Sequence, residues 1–236
     1  MQSLLDFITY TQGIQYLIAV GFLLVFILFW KFAKIGELVT VQSEREERVS
    51  IPRLLEDLVG GFLLPKEYYY HQGHTWAKPE DGNIVAIGLD DFSQKLIGKI
   101  EGVKIPSVGT SLRQGEKGLS VMANSTPIDL LAPVDGEVIA VNPVLQETPG
   151  KINRDPYGEG WLVKVRAPRF RANRSGLFSG ELAKMWLDEV RGRLMTRLSP
   201  ALGTVALDAG PAVSGIAERV AGEKWNDLVK EFLMVE

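Results

Sequence analysis

Two histidines, three aspartates and four arginines are the residues of this chain whose types and spacing invite a chemical reading. His71 and His74 stand at His-x-x-His spacing, which could aim two imidazoles at one metal ion. A zinc site needs at least a third protein ligand, and the chain has no cysteine, so the pair reads as structural and no metal site is expected. Asp90, Asp91 and Asp155 could act as general acid and base. No nucleophile, phosphate loop or second catalytic partner accompanies them, and they read as helix caps and turn residues. No catalytic residue is expected, and the chain reads as a non-enzymatic subunit. Arg166, Arg169, Arg171 and Arg174 form a basic cluster that could face anionic lipid but reads first as a solvated linker. The missing cysteines also exclude disulfides and thiolate catalysis.

These residues need elements to hold them. With 236 residues, 46% of them hydrophobic, the chain can bury a full core. A net charge of −3 implies no nucleic-acid partner. Between Asp6 and Lys31 lie 24 residues without a formal charge, enough to span a bilayer core that takes about 20 helical residues. Lys31 and Lys34 follow the span and no basic residue precedes it. The positive-inside bias therefore predicts a single-pass anchor over 1–36 in the inner membrane, with the rest of the chain cytoplasmic. Residues 37–65 read as a charged juxtamembrane linker and a short helix. Ser50 caps that helix, Leu54, Leu55, Leu58 and Val59 form its apolar stripe, and Gly60-Gly61 ends it.

From Tyr68 to Val165 short apolar runs alternate with turn signals, as in an all-β unit. Ile84 to Gly88 reads as a strand, Asp90 to Gly98 as one helical turn closed by glycine, and Ile100 to Ile105 as a strand. Val121 to Val138 reads as a hairpin turning through Asn124 to Pro127, followed by a second reversal at Asp135-Gly136. Beyond Arg166 one helix is predicted near Ser179 to Leu198, striped by Leu182, Trp186, Val190, Leu194 and Leu198. A loop is predicted from Gly203 to Gly215, and a last amphipathic helix from Ser214 to Phe232.

Several segments stand in the order found in the glycine cleavage H-protein family. They are His74-Thr75-Trp76, Gly88 to Gln94, Leu96-Ile97-Gly98, Ile105 to Gly109, Asp129-Leu130, Pro133 to Val138, and Asn153 to Leu162. Over about 100 of the 236 residues the chain resembles that family. The resemblance implies a mainly β, lipoyl-type barrel-sandwich hybrid over 66–166. With the anchor and a helical extension over 167–236 the chain is α+β as a whole. In the family a lysine at the hairpin tip carries lipoamide. Here the ungapped match puts Ser125 at that position, and no lysine occurs between Lys117 and Lys151. Ser125 cannot form the lipoyl amide, so no cofactor is expected.

The expectation for function is a non-lipoylated accessory or docking subunit of a membrane-associated complex, respiratory redox complexes included. It would hold lipid through the N-terminal helix and other subunits through the C-terminal helices and the lipoyl-like domain. One alternative is a carrier with a relocated attachment site, for which Lys117 and Lys151 are the nearest lysines. A second is an efflux-type membrane adaptor. That class splits its lipoyl halves with a long helical hairpin, whereas these halves are contiguous.

Overall fold

The computed structural model describes residues 22, 23, 25, 26, 58–202 and 214–235. Contacts divide the chain between Arg53 and Leu54, and the architecture that follows is that of the second unit. The four described residues of the first unit are helical, and the rest of the predicted anchor lies outside the described residues. So do the charged linker to residue 57 and the loop from 203 to 213. Among the described residues no helix is long and apolar enough to cross a membrane.

The first paired residues correct a helical expectation. Leu58–Val59 (β1) and Phe62–Leu63 (β2) form a small antiparallel ladder. Gly60 and Gly61 have φ of 55° and 89°, the left-handed pair that a two-residue hairpin turn demands. The glycines therefore reverse an extended chain, and Leu58 and Val59 belong to a strand, not to a helix stripe.

Nine further strands build two sheets: Tyr69–Tyr70 (β3), Thr75–Pro79 (β4), Ile84–Leu89 (β5), Gly102–Lys104 (β6), Ser111–Leu112 (β7), Lys117–Ala123 (β8), Thr126–Leu131 (β9), Gly136–Val141 (β10) and Val163–Arg166 (β11). A six-stranded sheet runs β3-β4-β5-β11-β10-β7 and a three-stranded one runs β6-β8-β9, antiparallel throughout. The period-two alternation of β5 and β11 sends Val85, Ile87, Leu89, Val163 and Val165 to one face. They share a core with Val121, Ile128 and Leu130 of the smaller sheet, each at most 1% exposed. The all-β reading of Tyr68 to Val165 holds, with short helices at Asp91–Ile97 (α1), Val144–Glu147 (α2) and Lys151–Arg154 (α3) set between strands.

The second reversal predicted at Asp135-Gly136 does not pair β9 with β10. The chain crosses there from the small sheet to the large one, where β10 pairs with β7 and β11. Val134 is fully buried in the crossing. Asp135 accepts a hydrogen bond from the Gln114 amide at 2.9 Å, so its carboxylate anchors the crossing to the loop before β8. Gly136 is required by close approach, since a Cβ would sit 2.8 Å from the Arg166 carbonyl oxygen.

The C-terminal part contains Phe170–Asn173 (α4), a 3-10 turn at Arg174–Gly176, Gly180–Leu202 (α5), Ile216–Ala221 (α6) and Trp225–Leu233 (α7). The single helix predicted over 214–232 is thus two, separated by a 3-10 turn at Gly222–Lys224 in which Gly222 has φ 52°. The stripe on α5 also differs from expectation. Leu182 is 66% exposed and Trp186 is half-buried, while Ala183, Leu187, Val190 and Leu194 are buried. A strict spacing of four advances about 40° per step around a helix of 3.6 residues per turn, so that stripe winds off the core. The alternating three-and-four spacing stays on it. Both C-terminal elements pack back on the β unit. Trp186 lies 4.7 Å from His74 and Phe232 lies 5.8 Å from Phe92, ring centre to ring centre.

Candidate functional site

The end of the β8–β9 hairpin is a two-residue turn. Ala123 pairs with Thr126, and Asn124 and Ser125 between them have φ of 47° and 58°. Both central residues in the left-handed region define the type I′ turn, whose twist matches that of the flanking strands. Asn tolerates this conformation and Ser pays for it modestly, so the strands impose the turn on Ser125. Both residues are exposed. The Ser125 amide donates to a Glu101 carboxylate oxygen at 3.1 Å, and the Thr126 hydroxyl donates to the Asn124 carbonyl at 3.3 Å. Pro127, without an N–H, is tolerated because β9 is an edge strand of its sheet.

Ser125 is therefore at the tip, held by a ladder whose inward side chains Val121 and Ile128 are buried. A hydroxyl there, with a carboxylate as neighbour, offers no amine for an amide. The two nearest lysines in sequence are elsewhere. Lys117 opens β8, opposite Leu131 and 3.6 Å from Asp129, about 20 Å from the turn at the ordinary rise of a strand. Lys151 opens α3 and is ion-paired with Glu159. Glu101 went unnoticed in the sequence, because its place beside the tip depends on β6 pairing with β8.

The His-x-x-His pair is not brought together as a ligand set. His74, 1% exposed, has φ 61° and its Nδ1 lies 2.8 Å from Asp90 Oδ2, while Phe92 stacks on it at 4.3 Å. That packing on several sides holds the unusual backbone. His71 is buried and its Nδ1 accepts the Gly73 amide at 3.1 Å. Burial, and then the neighbouring His74, push its imidazole down to about 4. Among the described residues no group of three or more His, Cys, Asp or Glu side chains could hold a metal ion.

The aspartates do what caps and turns do. Asp90 caps α1, its Oδ1 accepting the Ser93 amide at 2.7 Å. Asp91 accepts from Leu63 N at 2.8 Å and from Lys95 at 2.6 Å, which ties β2 to α1. Asp155 accepts from the amides of Gly158 at 2.9 Å and Glu159 at 2.8 Å. In the basic cluster, Arg166 reaches Glu137 at 3.5 Å, Arg169 reaches Asp135 at 3.4 Å and Arg174 lies over the Tyr69 ring at 5.1 Å. All four side chains are exposed, and Arg166, Arg169 and Arg174 make these contacts at the surface.

The family model for the glycine cleavage H-protein matches residues 68–189, about half of the chain. The chain belongs to the glycine cleavage H-protein family. The match runs past the β unit into α5, so the H-protein part takes in α4 and the first turns of that helix. A second family model, described only as a protein, matches residues 1–33. The chain is 38% identical over 118 residues to a glycine cleavage system H protein of Thermus thermophilus, covering 50% of this chain and 91% of that one. It is 41% identical over 103 residues to the H protein of Rubrobacter xylanophilus, covering 44% and 81%. The solved H protein of Mycobacterium marinum is 27% identical, with a TM-score of 0.44 over 53% of this chain and 98% of that one.

Proposed function

We propose that this H-protein relative is a membrane-anchored docking subunit that carries no lipoyl group. The observation that carries the reading is the hairpin tip: the turn is Asn124-Ser125, and the chain has no lysine from 118 to 150. A lipoyl arm would supply a dithiolane that moves between active sites, and its amide needs a lysine amine where this chain has a hydroxyl. What the chain's own residues supply is presentation. The β8–β9 ladder holds the tip, Glu101 accepts its Ser125 amide, and α7 packs on β9.

The uncharged run from residue 7 to 30 supports an anchor in the inner membrane, and Lys31 and Lys34 after it support a cytoplasmic β domain. The C-terminal helices and the β domain would meet the other subunits of a membrane assembly, which we take to be a redox complex. Purification of the full chain in mild detergent is expected to bring stoichiometric partners with it, and a chain that purifies alone contradicts docking.

The hairpin itself is tested by exposing the full-length chain to a lipoate–protein ligase with ATP and lipoate. The native chain is expected to gain no mass. The variant Ser125→Lys is expected to gain one lipoyl-sized addition, because the turn already presents that position. Lipoylation of the native chain would sink the reading.

A further inference from the structure

A cleft of about 280 Å³ opens on the outer face of the six-stranded sheet, away from the hairpin tip. Its floor follows from strand register. Lys78 of β4 stands opposite Ala86 of β5, and Ala86 stands opposite Lys164 of β11, so the three share one row across three strands. A methyl between two long side chains leaves a notch, with the lysine Cα atoms about 10 Å apart at ordinary strand spacing. In the next row Gly88 makes room for Trp76, since a Cβ at 88 would overlap the indole. The loop from Asp155 to Trp161 folds over this face and closes one side with Tyr157 and Trp161.

The two cations are not equivalent. Lys164 is neutralised by Glu80, 2.8 and 2.7 Å from its two oxygens, and lies 5.3 Å from the centre of the Trp161 ring. Lys78 has no carboxylate in ion-pair range among the described residues. It donates to the Tyr68 hydroxyl at 3.3 Å and sits 4.8 Å from the centre of that ring. An ammonium carries three donors, so a half-buried lysine with one neutral partner keeps donor capacity and an uncompensated charge. Beside it, Trp161 offers the edge of the notch a half-buried indole.

We propose that this cleft binds a small monoanion, a carboxylate carried on a flat apolar body. The carboxylate meets the Lys78 ammonium, and the flat body lies over Ala86 against Trp161. Charge selects the head and the aromatic wall selects the body. A cation of the same shape would face Lys78 directly and is excluded.

The test titrates benzoate into the full-length, 15N-labelled chain in detergent and follows the indole N–H signals, with Trp161 assigned by its loss in Trp161→Phe. The expected result is a saturable shift of the Trp161 signal with a dissociation constant in the millimolar range or tighter. Lys78→Met should weaken binding about tenfold or more, the loss of one charge-assisted hydrogen bond, with the indole signals of Trp186 and Trp225, which do not line the cleft, unmoved. Benzylamine, the same ring with the opposite charge, should give no saturable shift. Absence of saturation by about 20 mM benzoate, an unchanged affinity in Lys78→Met, or equal binding of benzylamine would each overturn the proposal.

Discussion

His71 is held neutral by its surroundings. Its folded-state imidazole lies at about 4, below the ordinary value near 6.5, because burial penalises the cation and His74 is close by. Since the folded value is the lower one, the unfolded chain takes up a proton first as pH falls. The contribution is complete above about 6.5 and is lost progressively toward 4, by roughly 3 kcal/mol at full extent. His71→Asn keeps an oxygen able to accept the Gly73 amide and does not titrate. Chemical denaturation at pH 7 and pH 4.5 should show a smaller loss of stability in this variant than in the native chain, and an equal loss would rule the account out. A structural role was expected for His74 from its place in the family-like His74-Thr75-Trp76 segment, and its burial against Asp90 and Phe92 agrees with it. Glu101 and Lys78 were not legible in the sequence, because Glu101 reaches the tip only through β6 pairing with β8, and Lys78 lines a notch only because β5 pairs with the distant β11.

At the scale of elements, one side chain pins the C-terminal extension to the sheets. Asn173 is buried at the end of α4; its amide donates to Gln114 at 3.0 Å and to Asp135 at 3.1 Å, and its oxygen accepts the Asp135 amide at 3.3 Å. The Gln114 amide, then Asn173 and Arg169, hold the Asp135 carboxyl below the usual carboxylate range. Asn173→Ala leaves these groups short of partners and should cost about 2 kcal/mol, read as a lower denaturation midpoint at unchanged slope. A neutral effect would mean that α4 is not anchored there. Individual strands and α1 were readable from alternation, turn residues and caps. The misread elements had a common cause. Gly60-Gly61 serves equally as a helix stop and a hairpin turn, Asp135-Gly136 as a hairpin and a crossing between sheets, and a stripe at every fourth residue of α5 looks apolar until its drift around the helix is followed.

For the whole molecule, family membership and the β architecture were legible because five or more short motifs fall in order along one stretch of chain. How the last C-terminal helix packs was not, since an amphipathic face states that it needs a partner without naming it. That partner is the chain's own β unit: Leu228, Val229, Phe232 and Leu233 of α7 are buried in the same core as Phe92 and Leu130. The account of the whole rests on a carrier scaffold whose tip carries a hydroxyl. Intact mass of the chain purified from its native membrane, with peptide mapping from Lys117 to Lys151, tests this most directly. The account predicts that no peptide from Lys117 to Lys151 carries an added mass; a lipoyl-sized addition on any lysine would contradict it and restore a working carrier.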